Sequence, residues 1–138
     1  MINKFSGEHR FLSNFYPTLV HLDGWWYTTT EAAYQAAKTT DLEARRPFSK
    51  MSASEAKKAG RGLALREDWE DIKVQVMADL LCQKFRSGSN LAIKLDQTQD
   101  QELVEGNTWS DTFWGVCNGV GENHLGKLLM GIRSMNRQ

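Results

Sequence analysis

The sequence predicts an α+β fold: a single, mainly helical domain with a small β-sheet. Three observations lead there. Residues 19–28 carry a hairpin signature. Apolar residues recur at helical spacing in several later stretches. Beyond the hairpin only one short segment reads as a strand, so helices dominate.

The elements follow in chain order. Leu19-Val20-His21-Leu22 and Trp25-Trp26-Tyr27-Thr28 flank Asp23-Gly24, a dipeptide suited to a type I′ turn because both residues tolerate positive φ. A helix is predicted over 30–39, where Thr28, Thr29 and Thr30 offer capping hydroxyls and Ala32, Ala33, Ala36 and Ala37 favour helix. Ser52 and Glu55 form a capping box that starts the next helix, which should stop near Gly60 or Gly62. The longest helix is expected from Asp68 to about Ser87. Its stripe is Trp69, Ile72, Val76, Leu80 and Phe85, and Gly88 is its stop. A short helix fits 90–96, and Leu103-Val104-Glu105 reads as a strand. The last helix is expected from about Asn123 to Met135, burying Leu125, Leu128, Leu129 and Ile132.

Bulk properties exclude several classes. With 138 residues, 41% of them hydrophobic, the chain can bury one core. Lys+Arg and Asp+Glu both number 17, which argues against gripping nucleic acid by charge alone and leaves a local basic patch open. The two cysteines, Cys82 and Cys117, have neither zinc spacing nor a disulfide framework. Residues 1–6 hold no apolar signal stretch, and no apolar run approaches a membrane span. A cytoplasmic protein without a membrane partner is the expectation.

Three segments are candidates for chemistry. In Phe11-Leu12-Ser13-Asn14-Phe15-Tyr16-Pro17, Asn14 can hydrogen-bond a base or ribose and Phe15 or Tyr16 can stack on a ring. The competing reading is a buried loop whose polar side chains satisfy backbone groups. In residues 30–38, Glu31, Gln35 and Lys38 share a helix face, Lys38 lying only ~20° from Glu31 in rotation at 3.6 residues per turn. A carboxyl group there can protonate a leaving nitrogen or activate water. A lysine in an apolar pocket can attack the aldehyde of an opened ribose. The competing reading makes Glu31 the capping-box partner of Thr28 on a solvated face. In residues 107–123, Asp111 is a second carboxylate and Trp114 a stacking surface, while Gly115, Gly121 and Asn123 lead into a helix N-terminus able to hold an anion. That segment reads equally as an N-cap behind a glycine loop, with tryptophans in the core. No His, Cys and Asp cluster suits a metal.

Taken in order, these segments resemble the NADAR (YbiA-like) family. The resemblance rests on Phe11-Leu12-Ser13-Asn14-Phe15, on the run from Glu31 to Lys38, and on Ala59-Gly60-Arg61 and Trp69-Glu70-Asp71-Ile72-Lys73. It continues through Leu103-Val104-Glu105, Asp111-Thr112-Phe113-Trp114-Gly115 and the stretch from Gly121 to Met130. Two positions depart from the pattern: Thr29-Thr30, where Ser-Val is commoner, and Ala32, where His is commoner. The resemblance implies a metal- and cofactor-independent hydrolase that cleaves the N-glycosidic bond between ribose and a nitrogen base. One branch acts on early riboflavin-pathway ribosylamino-pyrimidine phosphates, and another removes ADP-ribose from guanine in nucleic acid. For the second branch it also implies a lysine-linked ribose (Schiff-base) intermediate, which by position would fall on Lys38, with Glu31 as the acid/base carboxylate. In this reading Phe15, Trp69 and Trp114 hold the ring, Asn14, Gln35 and Asn123 position base and ribose, and Arg61 or the Gly121–Asn123 turn takes phosphate. A module that binds ADP-ribose or a nucleotide without turnover needs the same aromatics and glycines, but not Glu31 and Lys38 together.

Overall fold

A computed structural model describes residues 1–138. The fold is α+β and mainly helical, with two small two-stranded sheets rather than the one expected. The backbone groups into two compact units, Asn14–Lys84 and the combination of Met1–Ser13 with Phe85–Gln138.

The Asn14–Lys84 unit opens with an antiparallel hairpin, β1 (Pro17–Leu22) and β2 (Trp25–Thr29). Its turn residues Asp23 and Gly24 both have positive φ, as the Asp-Gly reading requires. Val20 pairs with Tyr27 on the buried face, and His21 with Trp26 on the other. An irregularity in the register falls between Pro17 and Val20. The chain then enters α1 (Thr30–Ala36), capped by Thr29, whose hydroxyl accepts from the Ala32 N–H. Ala32, Ala33 and Ala36 are buried, and their small side chains let α1 pack closely on its neighbours. Those neighbours are α3 (Ala53–Gly60) and α4 (Trp69–Lys84) together with the hairpin. A short α2 (Leu42–Arg45) and a 3-10 turn (Arg46–Lys50) intervene, neither of them marked by a periodic pattern. Ser52 and Glu55 form the expected capping box of α3. In α4 the buried residues include Trp69, Met77, Leu80 and Leu81, while Ile72 and Val76 are only half-buried.

The other unit begins with a 3-10 turn (Gly7–Leu12) and contains α5 (Asn90–Asp96) and α6 (His124–Asn136). Two short parallel strands, β3 (Gly106–Asn107) and β4 (Val116–Cys117), lie between these helices. The strand expected at Leu103-Val104-Glu105 is displaced. Leu103 makes one isolated bridge to Ile2, and the Glu105 N–H donates to Asn123 Oδ1 instead of to a ladder. Pairing resumes at Gly106, where the Asn3 carbonyl approaches so closely that a Cβ would overlap it. Leu12, Phe85, Leu95, Leu103 and Leu129 are fully buried in this unit. On α6, Leu125, Leu129 and Ile132 are buried as expected, and Leu128 is half-buried. No helix is long and apolar enough to cross a membrane.

Candidate active site

The site-bearing segment of the Asn14–Lys84 unit is α1 and the turn after it. Glu31 and Gln35 stand one helical turn apart and point the same way. Both are buried, at 9% and 6% exposure, so this stripe is no solvated face. Gln35 Nε2 donates to Glu31 Oε2 at 2.6 Å. Nor does Glu31 cap the helix with Thr28: Thr29 is the cap, and the Thr28 hydroxyl donates to the Met51 carbonyl at 3.2 Å. A buried carboxylate costs several kcal/mol unless partnered, so its retention calls for an explanation beyond folding.

Lys38 lies beyond the helix, which ends at Ala36 rather than at the expected residue 39. Its coupling to Glu31 survives that change. Burial pushes the Lys38 ammonium below its ordinary range; the Glu31 charge opposes this, and the Lys73 and Arg61 charges add to it. Lys38 Nζ sits 5.9 Å from the centroid of the Tyr34 ring. Tyr34 in turn packs on Trp69, 5.1 Å between centroids. Trp69 is 4% exposed, so its ring backs Tyr34 instead of offering an open stacking face. Phe15, by contrast, is exposed, with Lys57 Nζ 5.8 Å from its ring centroid. Arg61 caps the end of α3 and is exposed.

Asn14 is buried, its main-chain carbonyl accepting the Glu31 N–H at 3.1 Å. Its side-chain amide donates only to the Met77 sulfur, at 3.6 Å. Asn14 Oδ1 and Gln35 Oε1 are both buried and have no hydrogen-bond partner within the protein. Leaving such an acceptor unmade costs about 1–3 kcal/mol. Two such acceptors, on Gln35 beside the Glu31 carboxylate and on the residue whose main chain bonds Glu31, suit a ligand rich in hydroxyl or amino donors.

The remaining candidates belong to the other unit. Asp111 Oδ1 accepts from the Phe113 and Trp114 N–H groups at 3.2 and 2.9 Å, and Asn107 Oδ1 accepts the Asp111 N–H at 3.1 Å. Asp111 thus organises its own loop. Trp114 packs edge-on against Phe113, 4.9 Å between centroids, and Phe113 stacks near His124 at 4.3 Å. Gly115 and Gly121 allow main chain to pass where a Cβ would overlap carbonyl oxygens. Asn123 begins α6 in the left-handed region, and its side chain does not cap the helix. Instead Nδ2 donates to the Leu103 carbonyl at 2.9 Å, and Oδ1 accepts from the Glu105 N–H at 3.0 Å. The amides of 122–125 donate to the carbonyls of 112, 115, 113 and 114. The amides of 122–125 at this helix start, where an anion site was expected, are thus engaged by carbonyls of the preceding loop. The cations beside Lys38 are Lys73 and Arg61. Lys57 and Lys73 were not singled out from the sequence, because a lysine on an amphipathic helix reads as an ordinary surface charge.

No three His, Cys, Asp or Glu side chains come together in a way that could hold a metal ion. Of the two cysteines, Cys82 is exposed and Cys117 buried, and both are free.

The chain is similar to several known proteins. An N-glycosidase of Nostoc punctiforme is 36% identical over 128 residues, covering 88% of this chain and 81% of that protein. A riboflavin biosynthesis protein of Vibrio vulnificus is 36% identical over 130 residues, covering 91% of this chain; the chain spans only 35% of that protein's length. The NMR structure of Escherichia coli YbiA, a protein itself named an N-glycosidase, superposes with a TM-score of 0.83 at 32% identity, covering 98% of this chain and 86% of that one. The family model of the NADAR domain matches residues 3–136. With that match and these relatives, the chain belongs to the NADAR domain family.

Proposed function

We propose that the chain is an N-glycosidase that hydrolyses the bond between ribose C1 and a base nitrogen, with a ribosylamino-pyrimidine phosphate of the riboflavin pathway as its substrate. The observation that carries this reading is the burial of Glu31 beside Gln35 with Lys38 in electrostatic contact. A fold has little use for a buried carboxylate and a desolvated lysine side by side, and glycosidic cleavage needs both a proton carrier and a nucleophile. The Vibrio relative's name supports the riboflavin class. Asn14 Oδ1 and Gln35 Oε1 are acceptors for ribose hydroxyls, and the exposed Phe15 ring is a stacking surface for the base. Arg61 and Lys73 offer charge to the phosphate.

The proton inventory closes. Glu31, ionised, takes a proton from the Lys38 ammonium. The freed amine attacks C1 while protonated Glu31 delivers its proton to the leaving nitrogen, so the C1–N bond breaks with its electron pair on the base. Ring opening leaves a lysine-linked Schiff base. Water then adds at C1, the sugar departs, and Lys38 returns to the ammonium form.

The test is incubation with a ribosylamino-pyrimidine phosphate and, separately, with ADP-ribosylated guanine in DNA, following released sugar and base by mass spectrometry. Release from the first is expected; release from the second alone transfers the enzyme to the ADP-ribose branch. Glu31→Gln should lose turnover while circular dichroism stays unchanged. Borohydride added during turnover should leave the sugar's mass on residue 38. Tight binding with no cleavage of either substrate would identify a binding module.

A further inference from the structure

We infer that Gln35, seated in the space left by Gly60, is the positioning residue that keeps Glu31 ionised and acceptor-only at the start of the reaction. The inference rests on the glycosidase reading for its kinetic consequence, and on three observations for its geometry.

First, the Gln35 amide presents its NH2 to the carboxylate: Nε2 lies 2.6 Å from Glu31 Oε2. An ionised carboxylate can only accept, and this orientation matches that state. Second, the amide oxygen, which faces Gly60, gains no bond within the protein by its placement. Gln35 Oε1 is buried and has no partner within the protein, so the orientation follows from what Glu31 requires. Third, room for the amide comes from Gly60. A Cβ on Gly60 would overlap Gln35 Oε1 and lie 2.6 Å from Cδ. Gly60 is the last residue of α3 and does not have positive φ, so no turn requires glycine there. Close approach of Gln35 is the reason for it.

A donor on the carboxylate favours its charged form and so widens the range of pH in which Glu31 can take the first proton. The Lys38 charge also acts on it, and Lys73 and Arg61 act on Lys38 in turn. The elements packed on α1 carry further titratable groups, among them Lys57 on α3 and Tyr27 on β2. None of these is altered by replacing Gln35, so a change in Glu31 titration in such a variant reports the amide.

The experiment compares wild type, Gln35→Met and Gly60→Ala. Methionine keeps the length of the side chain and removes the donor. Alanine at 60 leaves Gln35 in place chemically but displaces its amide. In protein labelled with 13C at glutamate carboxyls, the signal lost in Glu31→Gln identifies Glu31. Its titration midpoint should move up by about one pH unit in both variants, and the acidic limb of the kcat/KM profile should move up with it. A purely structural role for Gln35 predicts lower melting temperature with both midpoints unmoved, and that result in folded Gln35→Met or Gly60→Ala overturns the inference. Should wild type cleave neither substrate, the glycosidase reading fails, while the carboxyl titration still decides whether Gln35 holds Glu31 ionised.

Discussion

Lys84, at the C-terminal end of α4, should limit the stability of this protein at neutral and acid pH. It is 2% exposed, and burial lowers its pKa from the ordinary 10.5 to about 7. Its ammonium lies 5.8 Å from the centroid of the Tyr16 ring, a contact worth about 1–2 kcal/mol when desolvated. A lysine with a folded pKa below its unfolded one binds fewer protons in the folded state. Between pH 7 and 10.5 the unfolded chain therefore holds more protons, and stability rises with pH, by up to about 1.4 kcal/mol per unit. Below pH 7 both states are protonated and the full cost of the buried charge is present. Integrated over the window the effect is about 5 kcal/mol, comparable to the whole stability of many domains. Lys84→Met fills the same space without a charge. In urea unfolding from pH 6 to pH 10, the variant should be more stable than wild type by about 3–4 kcal/mol at pH 6, after allowing for the lost ring contact. The gap should shrink steadily above pH 7. Comparing the two proteins at each pH cancels the other groups that titrate there. A gap that does not change with pH, or a methionine variant less stable throughout, would show that the charge is well solvated where it sits and refute the reasoning.

Three further outcomes are expected. Ser52→Ala breaks the capping box of α3 and should cost about 1 kcal/mol of stability in a urea melt, with no change in Glu31 titration. Asp111→Ala removes the acceptor for two main-chain amides and should lower stability by about 1–3 kcal/mol; a loss of turnover with unchanged melting temperature would instead make Asp111 part of the chemistry. Exhaustive chelation should leave substrate cleavage intact, since the chemistry proposed for Glu31 and Lys38 calls for no Lewis acid. Activity lost to chelator and restored by one added metal would contradict this.

Local signals in the sequence were sufficient wherever the governing interaction is itself local. Asp23-Gly24 specifies its turn because few other dipeptides accept two positive φ values, and Ser52 with Glu55 specifies the start of α3 because both bonds lie within one turn. Glu31 and Gln35 on one helix face follow from the helical repeat alone. Whether that face meets solvent or protein is not a local property. Thr29 rather than Thr28 took the cap, the stripe turned inward, and the chain left the helix before Lys38, each decided by how α1 packs on α3, α4 and the hairpin. Long-range pairing likewise settled the fate of residues 103–125: Asn123 and the first amides of α6 were committed to main-chain partners up to 20 residues away, which a glycine loop before a helix does not reveal. The role of Gly60 is of the same kind. Its glycine reads in the sequence as a helix stop, and only the arrival of Gln35 from another helix shows that the missing Cβ is space for an amide, because volume exclusion acts between elements that the chain order does not bring together.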